Sequence, residues 1–272
     1  MKIHLNVGTD LGKRCCLAGR AVEGLEWVER IEEADGVLTD QVPREDRPRP
    51  ALFLGSIPEL TRSAGSIPNL GPWFSVGLPR RYEPAIQGLY RSHRQGELGE
   101  LGLLRAHRWL AGGINEARRQ QERVALIDVV VWLFGGLPDT VYALRHQDDN
   151  GLQVHLSFPG AGMAMLDWAW SLPDGKNYDS IHLIGDRGAA YADDHRNMAL
   201  LYSGDDPRAL TVGNPTYGMA TLLQAFVDSI SAHKPMVSLA EVLQVQKVVD
   251  AVQKSLEAHE VCRLREVGGK DC

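Results

Sequence analysis

Cysteine is scarce. The four residues Cys15, Cys16, Cys262 and Cys272 make neither a disulfide framework nor a pair of zinc-binding CxxC motifs. They are expected to be reduced thiols, with Cys262 in a strand-like segment. A surplus of positive charge is also missing: 29 Lys and Arg stand against 35 Asp and Glu, a formal net charge of −6. Such a chain has little with which to neutralise phosphates and release counterions, so a nucleic-acid partner is not expected. No apolar run approaches the roughly 18 to 20 residues that cross a bilayer, and the start of the chain, Met1 to Gly8, is too polar for a signal peptide. No membrane partner and a cytoplasmic location follow as expectations. Internal repeats and low-complexity tracts are absent as well. What is present is ordinary globular material, 44% hydrophobic, 24% charged and 7% aromatic over 272 residues, long enough for a large core in one or two domains.

Up to about Leu78, short apolar runs alternate with polar or helical stretches: Ile3 to Val7, Gly36 to Leu38, Ala51 to Leu54 and Trp73 to Leu78. This is the texture of a small parallel α/β unit. Val42 to Pro50, rich in proline and charge, reads as a surface loop. Ser56, Ile57, Pro58 and Glu59 then supply an N-cap, a first-turn proline and a capping acid, the start of a short helix. From Glu83 the pattern changes. Pro84 opens a helix with Ile86, Leu89, Tyr90 and His93 on one side, and Gly96 to Gly99 ends it before a strand from Leu101 to Trp109. A second helix runs from about Asn115 to Phe134, with Val124, Ile127, Val131 and Phe134 as its core stripe. Six alternating segments follow between Thr140 and Tyr202 and predict an antiparallel meander. Two amphipathic helices close the chain, the second led by a capping box at Ser238 and Glu241. The last six residues are expected to fray.

This order of elements resembles the Gfo/Idh/MocA family of NAD(P)-dependent sugar and polyol oxidoreductases, and several motifs carry the likeness. Pro79 to Pro84 with Gly96 to Gly99 is similar to one family segment, and Val124 to Pro138, with Asp128, Trp132, Leu133, Gly135 and Pro138, to another. Ile184 to Gly188 matches a family turn, and Phe226, Pro235, Ser238 and Ser255 match its closing helices. The likeness covers about residues 50 to 265. It implies an α/β plus α+β chain: a reduced Rossmann-like unit over 1–78, then an open, mainly antiparallel sheet domain over 79–272 flanked by helices. It leaves room for the last helix to pack back on the first unit.

Departures from the family pattern lie at the chemistry. If Gly12 stands for the third glycine of the dinucleotide turn, Val7 and Thr9 replace the first two, and Asp10 adds negative charge where phosphate sits. About 40 residues separate this turn from Ala51, too few for the missing crossovers at roughly 30 residues per βαβ unit. The family's second and third strands, which hold the adenosine half, are therefore expected to be deleted. The position of the family's catalytic lysine falls on Ile57, and that of its acid–base histidine on Ala125; neither exchanges a proton.

Gly8 and Gly12 are candidate cofactor residues, or simply part of a tight turn. Arg80 and Arg81 are candidates for an anionic or hydroxyl-rich ligand, though arginines ahead of a helix also serve internal carboxylates. Gln121, Ala125, Asp128 and Trp132 share one helix stripe, with Gln121 and Trp132 as ligand contacts and Asp128 as a lone base or a structural group. Tyr82 and Tyr217 join Asp128 as catalytic candidates. Trp168 stacks on a sugar or is covered by another subunit. Cys15 and Cys16 are reactive thiols or inert packing. His107, His155 and His182 lack metal-ligand spacing, so no metal is expected. Together the losses predict a pseudoenzyme without NAD(P), a ligand-binding or partner subunit that forms homo- or hetero-oligomers through the open sheet face and holds a small polar metabolite. The alternative is an NAD(P)-dependent oxidoreductase of a sugar, polyol or related metabolite with rearranged catalytic residues. A second alternative is a non-redox enzyme performing isomerisation, elimination or cyclisation.

Overall fold

The computed structural model describes residues 1–42, 49–63, 73–174, 177–193, 198–203, 208–210 and 216–264. The chain divides into two compact units, Met1–Glu83 with Asn214–Leu243, and Pro84–Gly213 with Gln244–Cys272. Among the described residues no helix is long and apolar enough to cross a membrane.

The first unit is built on a parallel sheet. Its strands are β1 (Lys2–Asn6), β2 (Glu26–Val28), β3 (Gly36–Thr39), β4 (Ala51–Phe53) and β5 (Phe74–Val76), in the order β2-β1-β3-β4-β5. Helix α1 (Thr9–Gly19) crosses from β1 to β2, and α2 (Ile57–Ser63) follows β4 with Ser56 Oγ accepting from the Glu59 amide at 3.4 Å. The expectation that both strands on the far side of β1 are deleted is corrected. One of them is present, β2, paired in parallel with β1 through Lys2 to His4. The span accommodates it because only a 3₁₀ turn, Ile31–Glu33, connects β2 to β3. Arg49 satisfies that turn, donating to the carbonyls of Ile31 (2.8 Å), Glu32 (3.2 Å) and Ala34. A three-residue strand containing Glu26 carries almost no periodic signal, which is why it escapes a pattern reading.

Late in the chain, α5 (Thr216–Ser231) returns to this unit and packs on α1. It brings Leu222, Leu223 and Phe226 into one core with Ile3, Cys15, Ala18, Leu38 and Leu52. Gly36 makes this approach possible: a Cβ there would lie 2.7 Å from Ile230 Cδ1 and 3.2 Å from Phe226 Cζ.

The second unit is a nine-stranded sheet flanked by α3 (Pro84–Arg94), α4 (Glu116–Phe134) and α6 (Leu239–Ala258), the last beginning in the first unit. Its strands are β6 (Leu101–Ala111), β7 (Thr140–Arg145), β8 (Gly151–Ser157), β9 (Met163–Leu172), β10 (Tyr178–Gly185), β11 (Gly188–Asp193), β12 (Met198–Ser203), β13 (Arg208–Leu210) and β14 (Cys262–Arg263). Their order is β13-β12-β11-β10-β6-β9-β8-β7-β14. The simple meander is therefore corrected. The chain leaves β9 and re-enters beyond β6, so that β6 and β9 run parallel while every other pair is antiparallel.

Helix α4 is capped as its sequence dictates: Asn115 Oδ1 accepts from the Arg118 amide, and Gly135 ends the helix at φ +70°. Its burial is broader than one apolar stripe, for Val124, Leu126, Ile127, Asp128, Val129, Val130 and Leu133 are all buried. At α6, Ser238 Oγ accepts from the Glu241 amide while Glu241 Oε2 accepts from the Ser238 amide, a reciprocal capping box. Deeper in that helix, Ser255 Oγ accepts from the Ala143 amide at 3.0 Å and donates to the Glu260 carbonyl at 2.6 Å, tying α6 to β7. Ser255→Ala would leave the buried Ala143 donor unsatisfied, so a loss of about 1–3 kcal/mol is expected by urea denaturation. A loss below a few tenths would show that this link contributes nothing.

Candidate functional site

In the first unit the residues after β1 and β3 converge. The sheet order reverses between these two strands, and in doubly wound sheets ligands bind outside the carboxyl ends at that point. Gly8 is the N-cap of α1, with φ −58° and ψ 158°, and needs no left-handed backbone. Its amide donates to Asp40 Oδ2 at 2.7 Å, from the residue that follows β3. Asp40 is positioned from both sides. Thr39, fully buried, exchanges hydrogen bonds with the backbone of Gln41, and the Leu54 amide donates to the Thr39 carbonyl at 2.7 Å. A Cβ on Gly55 would stand 2.2 Å from the Asp40 carbonyl oxygen, so only glycine lets the two loops lie this close. Gly12 lies within α1, and a Cβ there would make ordinary contact at 3.6 Å with Val7 Cγ2. Asp10 adds a second carboxylate in the first turn. Glu29, exposed, follows β2 directly, the place where a Rossmann carboxylate takes ribose hydroxyls. Neither Asp40 nor Glu29 stands out in the sequence; strand adjacency is what singles them out.

Arg80, Arg81 and Tyr82 form a 3₁₀ turn, Pro79–Tyr82, after β5. Both arginines are buried, with Arg81 Nη1 at 3.8 Å from Glu241 Oε1, and Tyr82 packs against the core of the unit. Tyr217 sits in the first turn of α5, but its side chain lies outside the described residues. Ile57 is buried.

The second unit holds the remaining candidates. Gln121, Asp128 and Trp132 share the stripe expected of them on α4; Asp128 is 1% exposed and Trp132 stacks on Tyr90 with centroids 3.9 Å apart. Trp168 is 2% exposed, on the sheet face turned to α4, where Arg119 and Arg123 lie 5.7 and 6.0 Å from the Trp170 ring centroid. Its ring is thus core rather than part of the open face. Among the described residues its indole Nε1 has no hydrogen-bond partner.

The face away from α4 carries a different assembly. Asp167 on β9 accepts from Trp109 Nε1 and pairs with His107 Nδ1, both on β6. Rings of Tyr178, His182, Tyr191 and Tyr202 extend it across β10 to β12. The hydrogen bond His107 makes to the Asp167 carboxylate raises its pKa, against the opposing effect of burial; His182 is lowered, chiefly by burial and then by the His107 charge. Of the two vicinal thiols, Cys15 is buried and its pKa is pushed up to about 11, the chemistry of inert packing.

No protein-family profile and no curated protein matches the sequence. Solved structures do match in shape. A myo-inositol dehydrogenase from Corynebacterium glutamicum is 14% identical at a TM-score of 0.71, covering 98% of this chain and 99% of its own. An aldose-aldose oxidoreductase from Caulobacter crescentus complexed with glycerol is 12% identical at 0.76, covering 97% and 99%. A scyllo-inositol dehydrogenase from Lactobacillus casei with bound NAD(H) and scyllo-inositol is 17% identical at 0.69, covering 97% and 98%. The chain therefore has the fold of Gfo/Idh/MocA-type inositol and sugar oxidoreductases over nearly its whole length.

Because the folded pKa of His107 lies above its unfolded value of about 6.5, its pairing with Asp167 stabilises the fold below that value and is lost as pH rises through the raised one. His107→Gln should accordingly destabilise more at about pH 5.5 than at about pH 8.5. Equal costs by urea denaturation at both would show that the pair carries no charge.

Proposed function

We propose that this protein is an NAD(P)-dependent oxidoreductase of a sugar, polyol or related small metabolite, with rearranged catalytic residues. The observation that carries this reading is the parallel sheet that reverses order between β1 and β3, with the α1 N-terminus at the reversal and Glu29 after β2. The likeness to solved dehydrogenases, one holding NAD(H) and scyllo-inositol, supports it, and gives it more weight than the expectation of a chain that has given up its cofactor. Gly8 and Glu29 would hold the dinucleotide, which supplies hydride acceptance or donation when bound. Ile57 and Ala125 exchange no proton; the candidates that can are Tyr82 and Tyr217 in the first unit and Asp128 in the second, with Arg80 and Arg81 in the first unit and Gln121 and Trp132 in the second as candidate ligand contacts.

A second reading, a partner subunit, draws on the face opposite α4. Leu144, Met163, Met165 and Tyr202 are 40–54% exposed there, apolar side chains spread over β7, β9 and β12 that suit self-association or a related chain.

Calorimetric titration with the four nicotinamide dinucleotides tests the first reading. Micromolar binding is expected, tighter for NAD than for NADP because Glu29 repels a 2′-phosphate, with about 2.7 kcal/mol of added stability at a hundredfold excess over Kd. No heat and no shift in melting temperature at millimolar dinucleotide would overturn it. In a chain that turns over, Asp128→Asn should lower kcat about a hundredfold or more with the circular dichroism spectrum retained; unchanged kcat would remove Asp128 from the chemistry.

A further inference from the structure

The α1 N-terminus already holds an anion. Pyrophosphate recognition in a doubly wound sheet uses amides at the start of the first helix, favoured by the helix dipole. Here the Gly8 amide donates to Asp40 Oδ2 at 2.7 Å. The carboxylate belongs to the loop after β3, immediate neighbour of β1, and therefore enters from the same side as a dinucleotide would. The hydrogen bond is exposed, and Thr39, Gln41 and the close passage of Gly55 set the backbone from which the carboxylate reaches it. Asp10 places a further negative charge in the first turn. A pyrophosphate arriving here competes for a donor that is taken, and meets like charge.

We propose that Asp40 is a resident anion that closes the α1 N-terminus to the cofactor's pyrophosphate, so that a dinucleotide binds only as the carboxylate leaves Gly8. This rests on the NAD(P) reading for its ligand, but not for its geometry. The carboxylate holds the amide of the N-cap residue and sets cofactor affinity through one side chain. Asp40→Asn keeps an acceptor for the Gly8 amide and removes the charge; Asp40→Ala removes both.

The full-length chain and the two variants are titrated with NAD⁺ and, separately, with inorganic pyrophosphate, each variant being first matched to the parent by circular dichroism. NAD⁺ affinity is expected to rise at least about tenfold in Asp40→Ala and by a smaller factor in Asp40→Asn, because like-charge repulsion and a lost donor are both relieved. The ¹⁵N shift of the Gly8 amide should move on substitution, and move again when NAD⁺ is added to the variant. NAD⁺ binding equally well or better to the parent overturns the role of Asp40 and leaves the oxidoreductase reading standing. Pyrophosphate binding gained in Asp40→Ala, with NAD⁺ bound by none, upholds the resident anion and overturns the dinucleotide reading. Neither ligand binding to any of the three overturns both.

Discussion

A parallel sheet has to be covered on both faces, since its strands are continuous apolar runs with no polar side to give to water. In the first unit every residue of β3, β4 and β5 is buried. Among the described residues the first 83 supply only α1 and α2 as α-helices. The deficit is made up by α5, which arrives after the whole nine-stranded sheet has been threaded and buries Leu222, Leu223 and Phe226 against Ile3, Leu38 and Leu52. This one packing requirement explains why the chain enters the unit, leaves it and returns. It also explains Gly36, where a Cβ would crowd Ile230 and Phe226.

The same economy of chain shapes the carboxyl ends of the strands. With a 3₁₀ turn in place of a second crossover helix, the sheet has a single strand beyond β1 among the described residues, and the residues after β1, β2 and β3 lie close in sequence. Gly8, Glu29 and Asp40 thus stand at neighbouring strand ends, with the Gly8 amide donating to the Asp40 carboxylate.

In the second unit the two faces of one sheet have separated in character. Towards α4 stand Leu104, Ala106, Leu166, Trp168 and Trp170, with Arg108 bridging Glu122 and Asp179 at 3.0 Å each. On the other face the His107, Asp167 and Trp109 cluster sits amid exposed methionines. A partly buried ion pair such as that of Arg108 is weak evidence for added stability, because desolvation offsets its attraction.

Much of this was legible in the amino-acid order. Caps at Ser56, Asn115 and Ser238, the glycine stop at Gly135 and the alternation of β7 to β12 are local devices, and each forms where its residues stand. The fold class follows from them. Strand β2 was not legible, because three residues carry too little periodicity, and neither was the parallel pairing of β6 with β9, because alternation names a face but not a neighbour. Trp168 shows the same ambiguity: its spacing placed it on a face with Ala164 and Leu166, and only α4 decided that this face is interior. The site divides in the same manner. Sequence alone determined that Ile57 and Ala125 exchange no proton, since that is a property of residue type. Tertiary structure decided that Asp40 meets Gly8 across 32 positions of chain, because which carboxylate reaches an amide depends on which strands lie side by side.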